Sequence, residues 1–81
     1  MKNLYYINDL DWWVLLLPHP KIASRFTYEV YKTRTSCFPL LKGIKTENSP
    51  IRVQQVSVGI SKKKIQLLDI ELNKLINDLL A

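Results

Sequence analysis

Few residues in this sequence could carry out covalent or metal chemistry, and their spacing works against it. His19 is the only histidine and lies between Pro18 and Pro20, in what reads as an exposed turn. A general base or metal ligand needs partners, and no second histidine or cysteine cluster supplies them. A histidine-dependent nuclease would have to recruit Lys21, Arg25 or a tyrosine, and no motif joins them. Cys37 is the only cysteine, which excludes an intramolecular disulfide and a cysteine-built zinc site. With no histidine near it in sequence to activate it, it reads as a half-buried structural thiol in a reducing compartment. Gly43 and Gly59 stand sixteen residues apart, so neither a phosphate-cradling loop nor a dinucleotide fingerprint is present. Asp9 and Asp11 are the only close carboxylate pair ahead of the C-terminal region, and capping explains them more simply than acid-base work. The expectation is a protein that is not an enzyme and holds no metal or cofactor.

Charge is the stronger signal. The 81 residues carry a formal net charge of +5. Between residues 21 and 64 there are ten basic side chains, Lys21, Arg25, Lys32, Arg34, Lys42, Lys45, Arg52, Lys62, Lys63 and Lys64, against only Glu29 and Glu47, so the middle of the chain is basic and its ends are mildly acidic. Phe26, Tyr28, Tyr31 and Phe38 are interleaved with these cations, although Phe26, Tyr28 and Val30 share a parity that a core explains equally well. Lysine and arginine bind phosphates by releasing condensed counterions, and aromatic faces stack on unpaired bases. Nucleic acid is therefore the first expected partner. Lys62, Lys63 and Lys64 fall in the first turn of a helix capped by Ser61, where the helix dipole is already positive, and an anionic partner would offset that placement.

The elements that position these residues are short and separated by Pro18, Pro20, Pro39, Gly43, the Asn48-Ser49-Pro50 cluster and Gly59. Leu4 to Ile7 reads as a short strand. Asn8 or Asp9 as a cap and Pro18 as a stop predict a helix over Leu10 to Leu17, with Leu10, Trp13, Val14 and Leu17 on one face; a buried strand from Trp12 to Leu17 is the competing reading. Phe26 to Lys32 alternates as a strand should, with Phe26, Tyr28 and Val30 on one side. Cys37 to Lys45 reads as an edge or bent strand, interrupted by Pro39 and Gly43. From Ile51 to Ile60 the apolar parity switches between Val53 and Val56, which predicts a bulge near Gln54 and Gln55, and Glu47 to Pro50 fits the hairpin turn before it. From Ser61 to Leu80 the period becomes helical, with Ile65, Leu68, Leu72, Leu75 and Leu79 at spacings of three and four and Ile76 alongside. Leu67 and Ile70 lie off that stripe, which fits either two scattered surface apolars or a contact for a second chain.

Together these elements predict an α+β fold over residues 1–81, one small domain with a mostly antiparallel sheet of three to four strands packed on a C-terminal amphipathic helix. A core this small leaves room for a homo-oligomer to add burial. The run Trp12 to Leu17 is short, follows two aspartates and has no small-residue cleavage site, so neither a signal peptide nor a membrane span is expected and the location reads as cytoplasmic. The expected function is a small binding or regulatory module contacting nucleic acid through Arg25, Lys32, Arg34, Lys42, Lys45, Arg52, Lys62, Lys63, Lys64, Tyr28 and Tyr31. The alternative is a protein-interaction module, an inhibitor or accessory subunit of the size phages and mobile elements encode, meeting an acidic protein surface and using Leu67 and Ile70.

Overall fold

The computed structural model describes residues 3–81. Five strands, β1 (Leu4–Ile7), β2 (Trp12–Pro18), β3 (Arg25–Tyr31), β4 (Leu41–Thr46) and β5 (Arg52–Val56), precede one helix, α1 (Lys62–Leu80). The strands lie side by side in chain order, each antiparallel to the next. This is the α+β arrangement expected from the sequence, with five strands in place of three to four. Among the described residues no helix is long and apolar enough to cross a membrane.

The additional strand is β2, which replaces the expected helix over Leu10 to Leu17. Asn8 and Asp9 do not cap a helix; they form a tight turn in which the Asp11 amide donates to the Asn8 carbonyl and Asp11 takes a left-handed φ of 54°. Aspartate tolerates that conformation, so the polar cluster that resembled a cap makes a hairpin. Ile7 then pairs with Trp12, and Pro18 closes the strand at its far end.

Alternation settles the two faces of the sheet. Trp12, Val14 and Leu16 of β2, Phe26, Tyr28 and Val30 of β3, and Leu41 of β4 point to one side and are buried there with Ile7 and Leu10. The helix covers that side. Ser61 caps it, its side chain accepting from the Lys64 amide at 3.2 Å, and Leu68, Leu72 and Ile76 are fully buried against the sheet. Ile65 and Leu75 flank them, whereas Leu79, expected in the stripe, is 47% exposed at the last turn.

Two features shape the β4–β5 end. Gln55 pairs with Lys42 and Val53 with Gly43, so Gln54 is the extra residue of a bulge that brings Val53 and Val56 to one face, where the change of parity placed it. They reach that face without joining the core, remaining 39% and 48% exposed beyond the edge of the helix. Opposite the bulge the Tyr28 hydroxyl donates to the Arg52 carbonyl at 2.8 Å. That bond passes over Gly43, where an added Cβ would lie 1.9 Å from the Arg52 oxygen and 2.8 Å from the hydroxyl.

Candidate functional site

Because α1 covers one face of the sheet, the other is open, and its composition is unusual. In register across β1, β2 and β3 stand Tyr6, Trp13 and Tyr31. The next row holds Leu4, Leu15, Glu29, Lys42 and Gln55, and the row beyond it Leu17, Thr27, Ile44 and Arg52. Arg25 and Thr46 make the last pair. Directly paired side chains share a face and lie close enough to touch, so these rows form a continuous surface. It is aromatic at one corner, apolar through the middle and basic toward β4 and β5.

Tyr6 and Trp13 pack with ring centroids 5.0 Å apart at 48°. The Arg34 guanidinium, from the β3–β4 connection, sits 5.7 Å from the centroid of the Trp13 ring. The Tyr6 hydroxyl donates to Asp11 Oδ1 at 2.5 Å, and that bond, followed by desolvation, raises the phenol above its ordinary pKa. Tyr31 donates to Glu29 Oε1 at 3.1 Å; desolvation first and then the carboxylate raise its pKa too. Both tyrosines therefore present neutral rings at physiological pH. On the same face the Arg25 Nε donates to Thr46 Oγ1 at 3.2 Å.

The residues expected to bind an anionic partner divide into three groups. Arg25, Lys42, Arg52 and Tyr31 belong to the open face, with Arg34 over Trp13 and Lys32 exposed just past β3. Lys62, Lys63 and Lys64 lie on the helix side. There Lys64 Nζ is 5.8 Å from the centroid of the Trp12 ring, a cation–π partner that accounts for one of the three charges without any ligand.

Tyr28 and Lys45 are corrections. Both alternate inward, and Tyr28 is buried with its hydroxyl spent on Arg52, while burial and then the Asp69 charge push its pKa up. Lys45 is 2% exposed, its ammonium bonded to Asp69 Oδ1 at 2.6 Å and to the Ser49 carbonyl. Phe26 is likewise a core residue.

Other placements also change. Leu67 packs against the edge of the core and is not a free contact residue, while Ile70 is 54% exposed. Ile70 borders a groove where the Asn48 amide donates to Asn73 and the Ile51 amide to Asp69, bonds that fasten the β4–β5 turn to the helix. Cys37 is exposed instead of half-buried, as is Phe38 beside it. His19 accepts from the Lys21 and Ile22 amides through Nδ1 and so organises the β2–β3 turn.

Tyr6, Trp13, Leu15, Leu17 and Ile44 went unnoticed in the sequence as surface residues, whereas the alternation of β3 already set Glu29 beside Thr27 and Tyr31. For three of the unnoticed residues the signal is the period-two reading of Trp12 to Leu17, which sets Trp13, Leu15 and Leu17 on one side. Compared with known protein families, curated proteins and solved structures, the chain matches none.

Proposed function

We propose that this protein is a binding module for single-stranded nucleic acid and that the open face of its sheet is the contact surface. The observation that carries this reading is the Tyr6–Trp13–Tyr31 row with Arg34 over the central ring. Aromatic side chains in a row offer successive bases a stacking platform, and stacking contributes about 1–3 kcal/mol per base whatever the sequence. Arg34, Lys42, Arg52 and Arg25 lie beside or beyond the platform, where a backbone running across the strands brings its phosphates. A duplex would keep its bases stacked inside and could not use the rings, so an unpaired strand is the better fit.

Trp13 provides the measurement. Trp12 is 4% exposed and faces the core, so quenching by an added oligonucleotide reports on Trp13. A thymine 9-mer should quench emission at low salt. With four phosphate contacts, affinity should fall roughly fiftyfold between 50 and 200 mM salt, from a slope near 0.7 per contact for single strands. Trp13→Ala should weaken binding about tenfold or more, measured by anisotropy of a labelled strand. Absence of quenching at low salt, or affinity indifferent to salt, would refute the reading. The second reading, an acidic protein partner, draws on Leu15, Leu17 and Ile44, which offer apolar contact in the middle of the face.

A further inference from the structure

Glu29 is out of keeping with its surroundings. It is the one acidic side chain in rows that are otherwise aromatic, apolar, basic or neutral polar, and a carboxylate there repels the phosphates such a surface attracts. Its direct partner across the strands is Lys42, yet among the described residues the ion pairs are Lys45–Asp69 and Lys74–Glu71. The two side chains are therefore not committed to each other. The Tyr31 hydroxyl holds one carboxylate oxygen, which orients the group, and a carboxylate with about four lone-pair sites still has acceptor capacity to spare. Beside Glu29 and Lys42 opens a shallow hollow of about 240 Å³, also lined by Leu15, Leu17, Thr27 and Gln54. It lies one row from the aromatic platform.

We propose that this hollow takes a guanine of the bound strand, with Glu29 accepting from N1–H and the N2 amino group and Lys42 donating to O6 in place of the phosphate it meets on a thymine strand. This assignment rests on the nucleic-acid reading of the open face. The Watson–Crick edge of an unpaired base is free to be read in this way. Guanine alone presents two adjacent N–H groups to a carboxylate and a carbonyl oxygen beside them for an ammonium. Adenine and cytosine present one amino group next to a ring-nitrogen acceptor. Thymine and uracil present a single N–H between two carbonyls, whose lone pairs would face the carboxylate. Leu15 and Leu17 give the base an apolar bed, and the neighbouring nucleotides fall on Trp13 and Tyr31.

The test uses four 9-mers, thymine throughout or with a central guanine, adenine or cytosine, titrated against Trp13 emission of the full chain and of Glu29→Gln. The guanine 9-mer should bind wild type about tenfold more tightly than the other three. Glu29→Gln should bring it level with them while leaving the thymine 9-mer bound at least as well, since a repulsive charge is gone. Equal affinity of wild type for all four, or a guanine preference that survives in Glu29→Gln, would overturn the guanine assignment and leave the stacking face standing. Quenching by none of the four would overturn both. Guanosine monophosphate competing as well as the guanine 9-mer would overturn the strand as the ligand.

Discussion

Lys45 is the buried charge on which the packing of helix against sheet depends, and its two partners predict an asymmetry. The Lys45 side chain is 3% exposed, whereas that of Asp69, which pairs with it at 2.6 Å, is 31% exposed. Asp69→Asn keeps the shape but leaves a desolvated ammonium with only a carbonyl and an amide oxygen. Breaking a buried pair in this way costs about 3–5 kcal/mol, and the partial exposure of Asp69 argues for the lower end, near 3. Lys45→Met fills the same volume without charge and leaves a carboxylate that water and the Ile51 amide, 3.1 Å away, can satisfy, for about 1–2 kcal/mol. An 81-residue chain has about 4–12 kcal/mol in total, so Asp69→Asn should lower Tm by about 12–24 °C. Urea melts followed by circular dichroism give both free-energy costs, and unchanged m would show that each variant exposes the same surface on unfolding. If Lys45→Met costs as much as Asp69→Asn, or Asp69→Asn costs under 1 kcal/mol, the pair is not the buried fastening described here.

Two further perturbations test the β4–β5 end. Gly43→Ala should cost at least about 2 kcal/mol and speed hydrogen exchange along β5, because its Cβ would fall 1.9 Å from a backbone oxygen that cannot move without breaking the Tyr28 bond; a melting temperature within 2 °C of wild type would refute the geometry. For Tyr28 the sign runs toward alkali. Burial and then Asp69 raise the folded pKa above the unfolded value of about 10, so its contribution is complete below that pH and is lost as pH rises toward the folded value. Tyr28→Phe should lose about 1 kcal/mol at neutral pH and flatten the alkaline limb of a stability–pH profile, and an unchanged limb would show that the phenol is not the titrating group.

Much of this fold was legible in the sequence because it depends on local periodicity. The helix from Lys62 carries its cap at Ser61 and its buried stripe at three-four spacing, β3 alternates cleanly, and the shift of parity between Val53 and Val56 marks a bulge. Lys45 was not legible as a core residue. A lysine reads as surface unless its partner is known, and Asp69 lies 24 residues away on another element. Tyr28 was legible in part. Its inward parity was visible, but burial of the hydroxyl requires the Arg52 carbonyl, which lies 24 residues away on another strand.

The failure at β2 has a physical cause that bears on function. A strand with one face on a core and one in water alternates apolar with polar, and that alternation is what identifies it. In β2 the inward set is Trp12, Val14 and Leu16, and the outward set, Trp13, Leu15 and Leu17, is just as apolar. Period two disappears, and any six such residues also satisfy a helical stripe. The outward set does nothing for the core, since α1 lies on the other side. Leu17 is exposed and Trp13 and Leu15 are half-buried, and apolar surface left in water raises the risk of association where no contact covers it. The property that hid the strand is therefore the one that marks its outer face. Local rules yield where a residue answers to something other than folding, and the proposed binding face would make β2, the strand that carries Trp13, such a place.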